Sequence, residues 1–477
     1  MPGHLQTIAG AWAPIRFGQP ALMHTRVVNA EIPVPRTQYA ESDGLSIAYQ
    51  VFGHGTTDLL FVPGIVSHIE LAWEMPGFAR MFRELGSHFR VILFDKRGQG
   101  LSDRFEGVPT LEERMDDVRD VLRAVGSRRT VLLAYSEGGP MGALFTATYP
   151  GMVERLILLS SMARFSWAPD YPHSPTIEEI HRYASATWGK PEAARLFAPS
   201  RVGDAAFGEA LARHQRQSTS PSAIRRLHTA NDQIDVRAIL PQVHRPTLIV
   251  QRRRDRAVRV ANGRYLADHL PNAEYLELPG DDHFPWEGDA DRVTEAIVRF
   301  AAATPARPEA PSDERWLATV LFTDIVGSTE LAVRLGDSAW RDLQQRFHAV
   351  ARSQLEMHRG REIDTAGDGL FATFDGPARA VRCAAAMVRG AKAIGLDLRA
   401  GLHTGEVENA GTKVSGMAVH VGARISAQAG AGQVLVSTTV KDLVAGSGLR
   451  FEERGVRSLK GVPGDWPLFQ AIDDGPG

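Results

Sequence analysis

Between Tyr39 and Ala302, short runs of apolar and β-branched residues alternate with stretches of helical character. The runs are LLFVPG, RVILFD, TVLLAYS, RLILLS, PTLIVQR and AEYLELPG. Strands that alternate with helices along a chain build a mostly parallel sheet that helices cover on both faces. This alternation therefore predicts a doubly wound α/β domain over residues 39–302.

The alternation stops between Ala163 and Leu240, where the sequence is helical, rather polar and interrupted by prolines. A segment of this length is too long for a simple loop in a compact domain. We therefore expect residues 163–240 to form a helical cap inserted into the α/β domain.

Proline, alanine and acidic residues dominate ATPARPEAPSDE, residues 303–314, which predicts a linker. Beyond it, the strand candidates are LATVLFT, EIDTAG, LFATF, LRAGLHTGEV and QVLVS, and the helix candidates are residues 329–359 and 377–394. These elements predict a second domain, of α+β type, over residues 315–471. Residues 1–38 predict a loosely packed extension, because polar residues interrupt their apolar positions before a signal peptide or membrane span forms.

Charge and cysteine content exclude several classes of protein. Lys and Arg number 54 and Asp and Glu 56, for a net charge of −2. No broad basic field exists to bind nucleic acid or an anionic membrane, and we expect neither partner. The single Cys383 excludes an intramolecular disulfide, and its helical surroundings favour a buried position. A reducing, cytoplasmic setting is therefore expected.

Ser136 lies in TVLLAYSEGGPMGALF, between an apolar strand and a helix, among residues small enough for a tight turn. Asp255 follows the strand PTLIVQRRR, and His283 lies in LPGDDHF after the next strand. This arrangement resembles the catalytic triad of α/β-hydrolases, although Ala134 replaces the first glycine of the G-x-S-x-G motif. The resemblance implies that Ser136 attacks a carbonyl carbon, His283 accepts its proton, and Asp255 orients the imidazole.

The turn VPGIVSH suits the oxyanion hole of the same family, with backbone N–H groups near Ile65 and of Glu137 as donors. DKRGQGLSDR, residues 95–104, is similar to epoxide-hydrolase and haloperoxidase-like members. Serine at the turn, in place of aspartate, argues against epoxide or haloalkane hydrolysis. Two interpretations stay open for this domain: it hydrolyses a small ester-like ligand, or it only senses one.

Two aspartates in the second domain lie on turns. Asp324 follows an apolar strand in ATVLFTDIVGSTE, and Asp368 lies on a Gly-Asp-Gly turn in EIDTAGDGLFATF. Turn-borne carboxylates that point outward favour a hard cation, and Mg²⁺ or Mn²⁺ commonly shares such ligands with substrate phosphates. The sequence therefore predicts a divalent-metal site at these two residues.

These segments, with GLHTGEV, GTKVSGMAVHVGARISAQAGAGQVLVS and LKGVPG, resemble the catalytic domain of class III adenylate and guanylate cyclases over nearly all of residues 315–471. The resemblance implies a ferredoxin-like fold and head-to-tail homodimers with active sites between the subunits. It also implies two Mg²⁺ or Mn²⁺ ions per site, held by Asp324, Asp368 and the backbone carbonyl of Ile325.

The same resemblance assigns roles to cationic residues and exposes departures from the family. Arg424 matches the arginine that stabilises charge on the reacting phosphate, and Lys460 matches the lysine that binds the triphosphate. Asp364 and Lys413 exchange the charges of the lysine and aspartate that read the base in adenylate cyclases, so both ATP and GTP stay open. His420 replaces an asparagine that positions the ribose.

Three functional hypotheses follow. The preferred one is a nucleotidyl cyclase for intracellular signalling whose hydrolase-like domain senses or hydrolyses a small ligand, a domain order similar to mycobacterial hydrolase–cyclase fusions. The second is an ester hydrolase attached to a weak or inactive cyclase-like dimerisation module. The third is a binding protein with neither activity.

Overall fold

A computed structural model describes residues 33–303, 315–365, 368–410, 413–444 and 446–472. Most of the predicted N-terminal extension, residues 1–38, and nearly all of the predicted linker, residues 303–314, lie outside the described residues. The described residues form two domains, each built on its own sheet.

The sheet of the first domain runs in the order β1-β2-β4-β3-β5-β6-β7-β8. Its strands are β1 Gln38–Ser42, β2 Leu45–Phe52, β3 Asp58–Val62, β4 Arg90–Phe94, β5 Thr130–Tyr135, β6 Val153–Leu159, β7 Thr247–Arg252 and β8 Ala273–Leu278. The helices are α1 Ile69–Ala72, α2 Pro76–His88, α3 Leu111–Ala124, α4 Gly138–Thr148, α5 Ile177–Thr187, α6 Ala194–Phe197, α7 Ala205–Ser218, α8 Pro221–Asn231, α9 Val260–His269 and α10 Ala290–Ala302. Strands β3 to β8 correspond to the six predicted runs and are parallel.

The first two strands are antiparallel, which the alternation of strands and helices did not predict. Asp43 and Gly44 join β1 to β2 with φ angles of 49° and 76°. Positive φ at both central residues is the geometry of a tight hairpin turn, and Asp-Gly is a favoured sequence for it. The Asp-Gly pair was therefore an available signal for this hairpin.

The central strands are buried on both faces, and each face has its own hydrophobic core. One core packs β-strand residues against α3 and α4, and the other packs them against α2 and α10. Strands covered on both sides are continuously apolar, which explains the unbroken runs in the sequence. Between β6 and β7 the chain forms helices α5 to α8, in the segment expected to be a cap.

The sheet of the second domain runs in the order β10-β11-β9-β12-β14-β16-β15, with β13 paired to β12. Its strands are β9 Arg315–Ile325, β10 Arg361–Asp364, β11 Gly369–Phe374, β12 Leu398–Ala410, β13 Lys413–Ser415, β14 Val434–Ser437, β15 Arg450–Ser458 and β16 Asp465–Ile472. The helices are α11 Ser328–Leu335, α12 Asp337–Met357, α13 Pro377–Ala393, α14 Met417–Gln428 and α15 Thr438–Leu443.

The helix predicted over residues 329–359 is two helices, because Gly336 separates α11 from α12 with a φ of 78°. Helices α12 and α13 pack on one face of the sheet, where Cys383 is fully buried. Burial raises the pKa of the Cys383 thiol to about 12, so the single cysteine is a core residue, as predicted.

Helix α3 of the first domain contacts the start of α13 in the second. The buried Glu112 carboxylate accepts hydrogen bonds from the backbone N–H of Ala378 at 2.8 Å and of Arg379 at 3.2 Å. It therefore caps α13 across the domain boundary. A Cβ at Gly376 would lie 2.1 Å from the Glu112 side chain, so only glycine admits the carboxylate.

Ion pairs surround this cap. The Arg379 guanidinium pairs with Glu112 at 3.2 Å and with the buried Asp116 of α3. Asp375 accepts from Arg119 at 3.2 Å and from the Tyr149 hydroxyl at 2.6 Å. Each buried carboxylate is paired with a cation, either from the other domain or from its own helix. These contacts fix the two domains against each other.

No helix in the described ranges combines the length and apolarity that a membrane crossing requires.

Replacement of Arg379 by alanine should destabilise the protein by about 3 kcal/mol, because the buried Glu112 loses its arginine partner and the buried Asp116 keeps only its pairs with Arg119 and Arg359. Arg352→Ala is the matched control: its pair with Glu362 is on the surface, with 59% of the arginine side chain exposed, and its loss should leave stability nearly unchanged. Scanning calorimetry of both variants measures the difference. Equal unfolding temperatures would show that the interface contributes nothing.

Candidate active sites

Ser136 sits where β5 turns sharply into α4. Its φ is 52°, a left-handed conformation that non-glycine residues rarely adopt. Small residues make room for the turn: a Cβ at Gly139 would lie 1.7 Å from the Ser161 hydroxyl oxygen. The strained turn lifts the serine hydroxyl out of the sheet toward the carboxyl ends of the strands.

The structure brings the three predicted triad residues together. The Ser136 Oγ lies 2.9 Å from Nε2 of His283, and Nδ1 of His283 lies 2.8 Å from Oδ2 of Asp255. All three side chains are buried. Oδ1 of Asp255 accepts from the backbone N–H groups of Ala257 and Val258, at 2.9 and 3.0 Å. An ionised carboxylate only accepts, so Nδ1 of His283 carries a proton and Nε2 is free to accept the serine proton.

The loop that follows β3 lies directly beside the nucleophile. A Cβ at Gly64 would be 3.1 Å from the Cβ of Ser136, so the loop backbone approaches the serine closely. Ile65 of this loop and Glu137, the residue after the nucleophile, are the predicted oxyanion donors. Both line the same cavity as Ser136.

A buried ionic cluster holds Glu137, and its other members were not predicted from the sequence. The Glu137 carboxylate accepts from Lys96 at 2.7 Å, from Arg114 at 2.6 Å and from Asn231 of α8 at 2.7 Å. Burial alone raises the pKa of Glu137, but the charges of Lys96 and Arg114 outweigh it and hold the pKa below its usual value. Lys96 also donates to the carbonyl oxygen of Gly64.

An apolar cavity of about 360 Å³ opens above Ser136, between the sheet and the cap helices. Its lining includes Phe78, Met162, Trp188, Phe197 and Trp286. The cap therefore supplies part of the wall, which gives the domain a concave, mostly apolar site of the kind that holds small ligands.

Besides His283, three buried histidines line this cavity: His68, His214 and His228. Nδ1 of His68 accepts from the backbone N–H of Leu71 at 3.4 Å. Burial lowers the pKa of His68. Burial, and to a smaller extent repulsion between the protonated forms of these two rings, lowers the pKa of His214 to about 3. Both rings are therefore neutral at neutral pH.

The structure also brings together the two predicted metal ligands of the second domain. Asp324 near the end of β9 is directly opposite Gly369, the first residue of β11, and Asp368 immediately precedes that glycine. Both carboxylates are partly exposed at one end of the sheet. Arg399 of β12, on the other side of Asp324, pairs with its carboxylate, with Nε at 2.9 Å.

The remaining residues predicted for this site do not meet the two carboxylates. His420 and Arg424 lie exposed on α14, and Lys460 is exposed after β15. Among the described residues, no hydrogen bond or ion pair joins any of these three to Asp324 or Asp368. His420 and Arg424 share one face of α14, because they are four residues apart in the helix.

The predicted base-reading residues are only partly described. Asp364 is exposed at the end of β10. Lys413 begins β13, and its side chain lies outside the described residues. Ile325, whose backbone carbonyl was predicted as a metal ligand, follows Asp324 as the last residue of β9, with its side chain buried.

Sequence reasoning missed Lys96, Arg114 and Arg399. Lys96 is within the quoted segment DKRGQGLSDR, and Arg399 begins the quoted strand LRAGLHTGEV, but neither pattern indicates which side chain a cation will meet. Arg114 lies in the amphipathic helix α3, where a charged residue is ordinarily solvated. Only their burial and partners in the structure distinguish them from surface charges.

Comparison with known families gives two separate matches. Residues 59–296 match the model of the alpha/beta hydrolase family, and residues 312–470 match the model of the adenylate and guanylate cyclase catalytic domain. The first match runs from β3 into α10 and includes Ser136, Asp255 and His283, and the second runs through β9 into β16 and includes Asp324 and Asp368.

Individual proteins resemble one domain each. A pimeloyl-acyl-carrier-protein methyl ester esterase of Xanthomonas oryzae is 28% identical over 264 residues, which are 54% of this chain and 98% of that protein. Putative adenylate cyclase 3 of Rhizobium meliloti is 31% identical over 160 residues, which are 32% of this chain and only 27% of that protein. The crystal structure of the adenylyl cyclase CyaB from P. aeruginosa is 23% identical with a TM-score of 0.32, and covers 34% of this chain and 95% of that one.

Proposed function

Because this chain joins a domain of the alpha/beta hydrolase family to an adenylate and guanylate cyclase catalytic domain, we propose that it carries two activities. The second domain forms a 3′,5′-cyclic nucleotide and pyrophosphate from ATP or GTP, as an intracellular signal. The first domain binds and cleaves a small ester-like ligand. The neighbouring positions of Asp324 and Asp368 at one end of the sheet carry the cyclase proposal, and the hydrogen-bonded triad carries the hydrolase proposal.

Ester cleavage uses groups that already contact one another. The Ser136 hydroxyl attacks the ester carbonyl while Nε2 of His283 takes its proton, and Asp255 stabilises the imidazolium that results. His283 then returns the proton to the leaving alcohol, which gives an acyl-serine. Water, deprotonated by the same imidazole, releases the acid and restores the serine. The methyl ester esterase among the relatives supports an ester as substrate.

The oxyanion of each tetrahedral intermediate needs hydrogen-bond donors that are already in place. The N–H of Ile65 and the C=O of Gly64 belong to one peptide unit and point in opposite directions. Lys96 donates a hydrogen bond to the Gly64 carbonyl oxygen on the side away from the substrate. The Ile65 N–H therefore points toward the substrate. Lys96 also holds Glu137, whose own N–H is the second donor. We therefore assign Lys96 as a positioning residue for both donors.

The cyclase site fits Mg²⁺ or Mn²⁺. Two carboxylates and the carbonyl of Ile325 provide hard oxygen ligands, and exposure leaves room for water and substrate phosphates. In the described ranges no group of three or more His, Cys, Asp or Glu side chains is placed to hold a metal, so substrate must complete the ligand set. Asp324 and Asp368 would hold these ions, which when bound would supply Lewis-acid activation of the ribose 3′ hydroxyl and positive charge for the triphosphate. Arg399 donates to the Asp324 carboxylate and orients it.

A homodimer is part of this proposal. His420, Arg424 and Lys460 are exposed and lie apart from the carboxylates of their own chain, so they serve the site only if a second chain brings them there. Phe322 stacks on the buried Phe371 at 4.5 Å and is itself only half-buried, on the sheet face that carries Asp324. Its exposed part is apolar surface of a kind that suits a subunit interface. Arg424 and Lys460 would then supply the positive charge for the phosphates.

One observation favours the alternative, an ester hydrolase with a weak or inactive cyclase module. His420 stands where the cyclase family has an asparagine, and an imidazole differs from an amide in shape and in its donors. The hydrolase triad, by contrast, is complete within one chain. The first measurement below decides between the two functions.

The cyclase proposal is tested with purified protein, Mn²⁺ and each of ATP, GTP, CTP and UTP, with cyclic product as the readout. ATP or GTP should yield product, and Asp324→Asn should lower the rate at least about 100-fold, because a metal ligand and its charge are lost. Asp342→Asn, on the exposed face of α12, is the control and should match the unchanged protein. Absence of product from all four nucleotides would leave the hydrolase alternative; an active Asp324→Asn variant would refute the metal site.

The hydrolase proposal predicts cleavage of p-nitrophenyl esters that Ser136→Ala abolishes. Lys96→Met should lower kcat at least about tenfold and leave KM nearly unchanged, because the oxyanion exists only in the transition state and the intermediates. Lys190→Met, an exposed cap residue, is the control. A variant whose KM rises while kcat holds would contradict the positioning role of Lys96, and persistent cleavage by Ser136→Ala would exclude Ser136 as nucleophile.

His420→Asn restores the residue that the cyclase family carries at this position. The amide is expected to raise the rate of cyclic nucleotide formation by about tenfold, because it fixes one more hydrogen bond to the reacting nucleotide. Initial rates at saturating Mn²⁺ and nucleotide measure the effect. A rate that falls instead would mean that His420 itself is the functional group here.

A further inference from the structure

We propose that the cavity above Ser136 binds an uncharged, largely apolar ester that carries one additional oxygen, and that His68 and His214 hydrogen-bond this oxygen. The additional oxygen is a hydroxyl or a carbonyl. This inference deepens the proposed ester hydrolysis and rests on it, and it names the class of substrate.

His214 carries the argument. This residue is only 7% exposed, and it lines the cavity. Within the described part of the chain its imidazole makes no hydrogen bond; only its backbone carbonyl does, with the Ser218 hydroxyl. A buried ring nitrogen without a partner is costly in an apolar wall. A ligand that offers a polar atom here removes that cost.

His68 supplies a second donor beside it. Its Nδ1 already accepts the Leu71 N–H, so in the neutral ring the hydrogen resides on Nε2 and is available to a ligand. His68 lies three positions beyond Ile65 in the chain, on the same loop that forms the oxyanion hole. The additional oxygen is therefore close to the scissile ester rather than at the far end of the cavity.

The charge of the cavity wall explains why the ligand is neutral there. Both histidines are uncharged at neutral pH, since burial lowers the pKa of each. Glu137 is paired with Lys96 and Arg114. The other charged lining residues, Glu179, Arg256 and Arg259, are exposed and so lie at the rim. An ionic group carried into the enclosed part would find no opposite charge.

The test compares three p-nitrophenyl esters of equal chain length: the hexanoate, its keto analogue and the monoester of adipic acid. The unchanged protein should cleave the keto ester with a kcat/KM about tenfold above the hexanoate, and the anionic adipate ester most slowly. His214→Leu should abolish the keto preference and keep hexanoate cleavage. His228→Leu is the matched control, because His228 lines the same cavity but its Nδ1, although it has no hydrogen-bond partner, is fully enclosed by protein and out of a ligand's reach.

No keto preference in the unchanged protein, or a preference that survives His214→Leu, would overturn the inference. Loss of the preference in His228→Leu alone would also overturn it. If no ester is cleaved at all, the proposed hydrolysis fails separately. Binding of methyl hexanoate and its keto analogue to Ser136→Ala, followed through fluorescence of Trp188 and Trp286 in the cavity wall, then decides the role of His214 on its own. Equal affinities for the two esters would count against it.

Discussion

The buried carboxylate of Glu137 is the contact on which the first domain depends. A carboxylate this deep in the protein is tolerated only when cations and donors surround it, and Lys96, Arg114 and Asn231 do so. Each partner belongs to a different part of the structure: the loop after β4, helix α3 and cap helix α8. The Glu137 side chain, next to Ser136, therefore links the turn between β5 and α4 to the loop after β4, to helix α3 and to the cap.

Helix α3 extends this network to the second domain. Arg114 faces Glu137, and two residues to either side of it, on the opposite face of the same helix, Glu112 caps α13 and Asp116 pairs with Arg379. A rigid helix that contacts both domains is a physical element through which the state of one could bias the other. The contacts show continuity between the hydrolase pocket and the cyclase scaffold. Coupling in the thermodynamic sense requires two states of this helix, each favoured by a different ligand.

The two sites differ in how complete they are within one chain. The residues Ser136, His283 and Asp255 come from three strand ends of one sheet, and they are in hydrogen-bond contact without any ligand. In the second domain, only Asp324 and Asp368 lie close together, while Arg424 and Lys460 are exposed elsewhere on the surface. The proposed cyclisation would therefore need a second subunit to bring these cations to the triphosphate.

The sequence by itself determined both fold classes, the six parallel strands and the identity of the triad, because strand periodicity and turn residues are local signals. It did not reveal the antiparallel hairpin at Asp43, the break at Gly336 or the partner of any buried charge. In the sequence, Lys96 and Arg399 look like solvated cations. Only the packing of distant segments brings Lys96 into contact with the Gly64 carbonyl and Arg399 into contact with the Asp324 carboxylate. Tertiary structure decided those roles, because burial and charge pairing depend on residues far apart in the chain.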